Sequence, residues 1–188
     1  MISPRSPRLS VATAALFCVA LLTGCAAPLG GVDTLPTSEP VPATFTSLPD
    51  AMPAPPVLGE LVDGTEVDLS KLWSERVLVL QFTSSWCTQC AAAEPELTKV
   101  FEDYQGAVLP VRIALNEPGE DIMKYLSSAK AVGPAVVDTS GSIWRDYAVT
   151  EPPVTAIIDT EGGLVRMWPG GTESEQLRAV LDELITLE

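Results

Sequence analysis

The chain has 188 residues, a formal net charge of −14 and no histidine. That length suits one folded domain with peripheral segments and is short for two cores. The acidic balance disfavours nucleic-acid binding and electrostatic attachment to anionic headgroups. The missing histidine removes His-dependent triads, His-ligated zinc or copper, and His-ligated haem.

Residues 1–24 read as an export signal. Arg5 and Arg8 supply its positive start, and Val11 to Leu22 is an apolar run too short for a comfortable permanent span. The run ends in Leu22-Thr23-Gly24-Cys25, which resembles the bacterial lipobox. By that resemblance Cys25 is lipidated, becomes the first mature residue and holds the protein at a membrane face. The plain alternative is an ordinary signal cut near Ala26, with Cys25 incidental. Cys18 lies inside the signal, so the mature domain keeps Cys87 and Cys90. Two cysteines cannot fill a four-ligand zinc site, and neither a metal nor a cofactor is expected.

Residues 25–56 read as a Pro-rich tether that carries eight of the 17 prolines. Such a stretch disfavours helix and central strand and tends to extend. At roughly 3 Å per residue it would hold a domain several tens of ångströms from a bilayer.

The folded domain is expected over residues 57–188. Val77 to Phe82 is a nearly continuous apolar run, as in a strand buried on both faces. Cys90 to Tyr104 reads as a helix, with Leu97, Val100 and Phe101 at helical spacing and Pro95 expected to kink it. Ala107 to Leu115 is a second buried strand, and Pro118 to Lys130 a helix with Ile122, Tyr125 and Leu126 on one face. A short strand at Ala135 to Val137 and a short helical piece at Ser142 to Tyr147 follow. Thr155 to Ile158 and Leu164 to Trp168 flank Thr160-Glu161-Gly162-Gly163, a hairpin signal. Thr172 and Glu175 read as the capping box of a last helix, which buries Leu177, Val180, Leu181 and Leu184. The alternation predicts an α/β fold in which helices flank one central mixed sheet.

Cys87 falls between a strand end and a helix start, where unpaired backbone amides and the helix dipole favour a thiolate. The three-residue offset puts Cys90 on the same face one turn later, close enough for a small disulfide ring. Cys87 is expected to be the exposed attacking sulfur, and Cys90 the more buried one that resolves a mixed disulfide. A purely structural bridge is the alternative, but so small a ring constrains the unfolded chain little.

Phe82-Thr83-Ser84-Ser85-Trp86-Cys87-Thr88-Gln89-Cys90 resembles the active-site segment of the thioredoxin superfamily, within it the membrane-anchored TlpA/ResA-like thiol–disulfide oxidoreductases. The likeness runs over about Val57 to Glu188. Pro152-Pro153-Val154-Thr155 and the later glycines are similar to that family's cis-proline loop, strand and hairpin. The resemblance implies a thioredoxin-like fold, Pro153 as the cis-proline facing the disulfide, and Trp86 packed beside the site. It also implies partners: exported cysteine-containing proteins and a membrane redox partner acting as electron donor or acceptor.

Three departures stand out. Gln81 occupies the place of thioredoxin's buried aspartate and cannot act as a base. Ala93 stands where many relatives carry glutamate, and Glu94 is one residue further along. Cys87, Cys90 and Glu94 share one helical face, so Glu94 is a candidate proton acceptor for Cys90; a solvated helix glutamate is the plain alternative. Pro152 lacks the N–H that relatives offer to substrate backbone, which shifts docking toward side-chain contacts around Trp86 and Pro153.

The expected activity is extracytoplasmic dithiol–disulfide exchange. With no histidine between the cysteines, an intermediate to reducing potential is expected, as in cytochrome c maturation. The alternatives are a disulfide-forming oxidase or isomerase, a thioredoxin-like peroxidase, and a non-catalytic binding lipoprotein.

Overall fold

The computed structural model describes residues 29–36, 41–104 and 106–188. The expected export signal and Cys25 lie outside the described residues. Among the described residues, no helix is long and apolar enough to cross a membrane.

The centre of the domain is β5 (Val77–Thr83), buried along its whole length. It pairs in parallel with β6 (Val108–Leu115), which pairs in parallel with β7 (Ala135–Asp138). On its other side β5 runs antiparallel to β8 (Val154–Ile158), which turns back into β9 (Gly163–Pro169). Short strands β2 (Met52–Pro53), β3 (Leu58–Leu61) and β4 (Glu66–Asp68) complete a mixed sheet in the order β2-β9-β8-β5-β6-β7-β3-β4. A separate pair joins β1 (Ala43–Phe45) to β10 (Ile185–Leu187).

Strand alternation divides the core. Leu78, Leu80 and Phe82 point to one face, where Phe82 packs edge-on against Trp144 of α3 (Ser142–Asp146) with ring centroids 5.8 Å apart. Val77 and Val79 point to the other, under α1 (Thr88–Asp103) and α4 (Ser174–Leu184). The helix α2 (Gly119–Ala129) packs beside α1, burying Ile122, Tyr125 and Leu126 as the periodicity predicts.

The helix α1 is continuous through Pro95. Two sequence expectations are revised. The capping box of α4 sits one residue later than read: Glu173 is the N-cap and Gln176 its partner, and the Thr172 hydroxyl goes to the Glu173 carbonyl instead. The described part of the Pro-rich segment lies against the domain. It contributes β1 and β2 at sheet edges, where proline is tolerated. The Ala54 N–H bonds to the Gly162 carbonyl, and the Pro55 carbonyl accepts the Tyr147 hydroxyl.

Candidate active site

The strand β5 ends at Thr83, and after three intervening residues the chain enters α1 with Cys87 as its N-cap. Helix starts leave backbone N–H groups without intrahelical partners. Here the Cys87 sulfur takes one of them, accepting the Cys90 N–H at 3.1 Å. A sulfur so placed is offered a donor and the positive helix end, both of which favour its thiolate once reduced. Cys87 and Cys90 are joined as a disulfide, their Cα atoms 5.3 Å apart.

Exposure differs from the expectation. Cys87 is 6% and Cys90 7% exposed, so neither sulfur is the open one in the oxidised state. Trp86 is what stands out, at 69% exposure beside the pair. The loop before it is fixed by Glu117, whose carboxylate accepts both the N–H and the hydroxyl of Ser85.

The Pro152-Pro153 bond is cis, as the resemblance implied for Pro153. The Pro153 carbonyl accepts the Gly170 N–H at 2.8 Å, and the Gly170 carbonyl accepts the Gln89 side-chain amide at 3.0 Å. Gln89, between the two cysteines, therefore ties the start of α1 to the loop that backs Pro153. Gly171 sits so close to the Pro153 ring that a Cβ would approach it to 3.2 Å.

Behind Cys90 lies a cavity of about 330 Å3, lined among others by Gln81, Glu94, Pro153, Thr155 and Gln176. Cys90 lines it and Cys87 does not. The solvated-glutamate alternative for Glu94 is overturned: Glu94 is 1% exposed. Arg112, fully buried on the adjacent strand β6, forks onto it. Its Nε reaches Glu94 Oε1 at 3.1 Å and its Nη2 bonds Oε2. Arg112 Nη1 is taken by the Val132 carbonyl, and the guanidinium also lies over the Phe101 ring. The Tyr125 hydroxyl donates to Glu94 Oε1 at 3.1 Å. Burial, and then the Glu94 charge, push the Tyr125 phenol above its ordinary pKa, so it remains a donor.

Arg112 went unremarked in the sequence because it sits in an apolar strand run. The signal was present: the lone cation of that run falls on the strand face opposite Val111 and Ile113, toward α1. Gln81 is its register partner on β5 and faces the same way. Among the described residues Gln81 Oε1 has no hydrogen-bond partner, which leaves a free acceptor in the cavity that Cys90 lines.

A strand-end disulfide capping a helix and facing a cis-proline loop is the arrangement of a dithiol–disulfide exchange domain. Residues 68–185 match the family described as a thioredoxin-like domain. A DsbE homologue from Paracoccus denitrificans, named as a thiol:disulfide interchange protein, is 31% identical over 132 residues. That match covers 65% of this chain and 71% of the relative. The thiol–disulfide oxidoreductase ResA of Halalkalibacterium halodurans is 26% identical over 131 residues, 69% of this chain and 73% of its own. Among solved structures, a secreted Mycobacterium tuberculosis disulfide oxidoreductase, described as homologous to Escherichia coli DsbE, superposes with a TM-score of 0.60. It is 23% identical and covers 68% of this chain and 96% of its own. The chain belongs to the thioredoxin-like family, and it is a thiol–disulfide oxidoreductase of the ResA/DsbE type.

Proposed function

We propose that this oxidoreductase is exported, anchored by a lipid on Cys25 at the extracytoplasmic face of the membrane, and works as a reductant of exported cysteine-containing proteins. The observation that carries the chemistry is the Cys87–Cys90 disulfide at the start of α1, with the Cys87 sulfur already accepting a helix-start N–H.

In the reducing direction the Cys87 thiolate attacks one sulfur of a client disulfide. A Cys87–client bond forms and the client's first thiolate leaves. Cys90, as thiolate, then attacks the Cys87 sulfur. The intramolecular disulfide closes and the client's second thiolate departs, so two electrons have passed to the client. A membrane redox partner returns the pair to the dithiol state. No separate cofactor is assigned, because the cysteine pair is itself the redox couple. Trp86 and Pro153 form the surface that meets the client.

Glu94 acts on Cys90 through its charge. Arg112 and Tyr125 occupy both of its oxygens, so its part is to raise the cost of a second anion in the cavity. Glu94→Gln is therefore expected to lower the Cys90 thiol pKa in the reduced protein, read by pH-dependent alkylation. An unchanged value removes Glu94 from the mechanism.

The deciding experiment is Cys90→Ala in cells, which leaves Cys87 unable to release a bound client. Mixed disulfides with exported cytochromes are the expected catch. A catch dominated by multi-cysteine secreted proteins would indicate an oxidase or isomerase instead, and no catch at all would indicate an inert scaffold.

A further inference from the structure

The segment expected as a free spacer is pinned at Gly30 and Val32. The Ala135 N–H donates to the Gly30 carbonyl at 2.8 Å, and the Val32 N–H to Asp63 Oδ2 at 2.7 Å. That bond holds the Asp63 carboxyl below its ordinary pKa, as expected when the charged form is the acceptor. Gly30 has φ +84°, and a Cβ there would come within 2.6 Å of Leu126 Cδ1 and 3.1 Å of Ala135 Cβ. At Gly31 a Cβ would lie 2.3 Å from Asp63 Oδ2. Two adjacent glycines are thus what lets the backbone lie this close to the domain.

We infer that Gly30 to Val32 form a clasp that holds the domain on a short leash at the membrane, with its cysteine edge nearest the bilayer. The inference rests on the Cys25 anchor proposed above. Five residue steps lead from Cys25 to Gly30, which span at most about 17 Å. If the clasp opens, the next held residue is Leu35, which packs against the core, and the same limit becomes about 35 Å.

The edge follows from a short chain of contacts. The Ser85 N–H, two residues before Cys87, is held by Glu117. Gly119, two residues after Glu117, lies against the Val62 carbonyl, which a Cβ would approach to 2.8 Å. Val62 adjoins Asp63, the acceptor in the clasp. Leu126 and Ala135, which the clasp covers, belong to the same apolar cluster as Cys87 and Cys90. The acidic body is repelled by anionic headgroups, so the domain stands off at the length of its leash instead of inserting.

The test uses the full lipidated chain in vesicles that contain a dansyl-labelled lipid. Energy transfer from Trp86 is read as the difference between the chain and its Trp86→Phe variant. Strong transfer is expected for the native chain, falling several-fold in Gly30→Val and in Asp63→Ala. Asp63 lies on an exposed turn, so its variant keeps the test open if Gly30→Val does not fold. Equal transfer in native and variant chains that all float with the vesicles overturns the clasp. Flotation that is absent, or unchanged in Cys25→Ser, removes the anchor and the leash with it.

Discussion

Serine in place of Cys87 is expected to bring disulfide exchange down to the uncatalysed background while the domain stays folded. The two consequences come from different properties of one atom. Only a thiolate attacks a disulfide at a useful rate, and an alcohol does not ionise at neutral pH. The N-cap duty of Cys87, by contrast, suits serine better than cysteine, because a hydroxyl oxygen is a preferred acceptor for helix-start N–H groups. The hydroxyl should take over the Cys90 N–H that the sulfur now accepts. Stability of the variant should therefore lie within about 1 kcal/mol of the reduced parent, the scale of a single cap. Insulin reduction and a urea titration read the two quantities separately. Substantial residual turnover would mean that Cys90 can attack by itself, and the assigned order of the two sulfurs would be wrong.

Arg112→Met is expected to be the most damaging single change in the interior. The guanidinium is fully buried and supplies two of the bonds to the Glu94 carboxylate. Removing it leaves a carboxylate in an apolar site, a change that typically costs about 3–5 kcal/mol. That is a large share of the roughly 5–15 kcal/mol that a domain has in total. Replacing both partners, Arg112→Met with Glu94→Met, should restore most of the loss, since a buried pair and a packed apolar substitute are often nearly equivalent. The Tyr125 hydroxyl would still lose its acceptor, at a cost of about 1 kcal/mol or somewhat more. Denaturant titration of the oxidised single and double variants measures the cycle. A double variant no more stable than Arg112→Met would show that the arginine serves the packing over Phe101 more than the charge of Glu94.

The sheet and its helices were legible because buried strands and amphipathic helices write their period into the sequence. The run Val77 to Phe82 and the face of Ile122, Tyr125 and Leu126 are examples. The cysteine pair was legible for a similar reason: its spacing and its place between strand and helix are local. What stayed hidden depended on contacts across the sequence. The environment of Glu94 is decided by Arg112, 18 residues away, and by Tyr125, 31 away. Composition alone made the proline-rich stretch look free, because proline rules out central strands but not the edge pairings that β1 and β2 make.

Pro95 has a consequence beyond the kink first expected of it. It carries no N–H, so the Ala91 carbonyl lacks its partner one turn on and the hydrogen-bond ladder of α1 is interrupted there. Immediately before the gap, Glu94 is fastened to the sheet through Arg112. The helix stays continuous there, but one ladder bond is missing between the turn that carries the cysteines and the remainder fastened to the core. Sulfur–sulfur distances that change with each redox cycle can be absorbed within that first turn. The remaining helix, tied to β6 through the Glu94–Arg112 pair, carries that turn on the core.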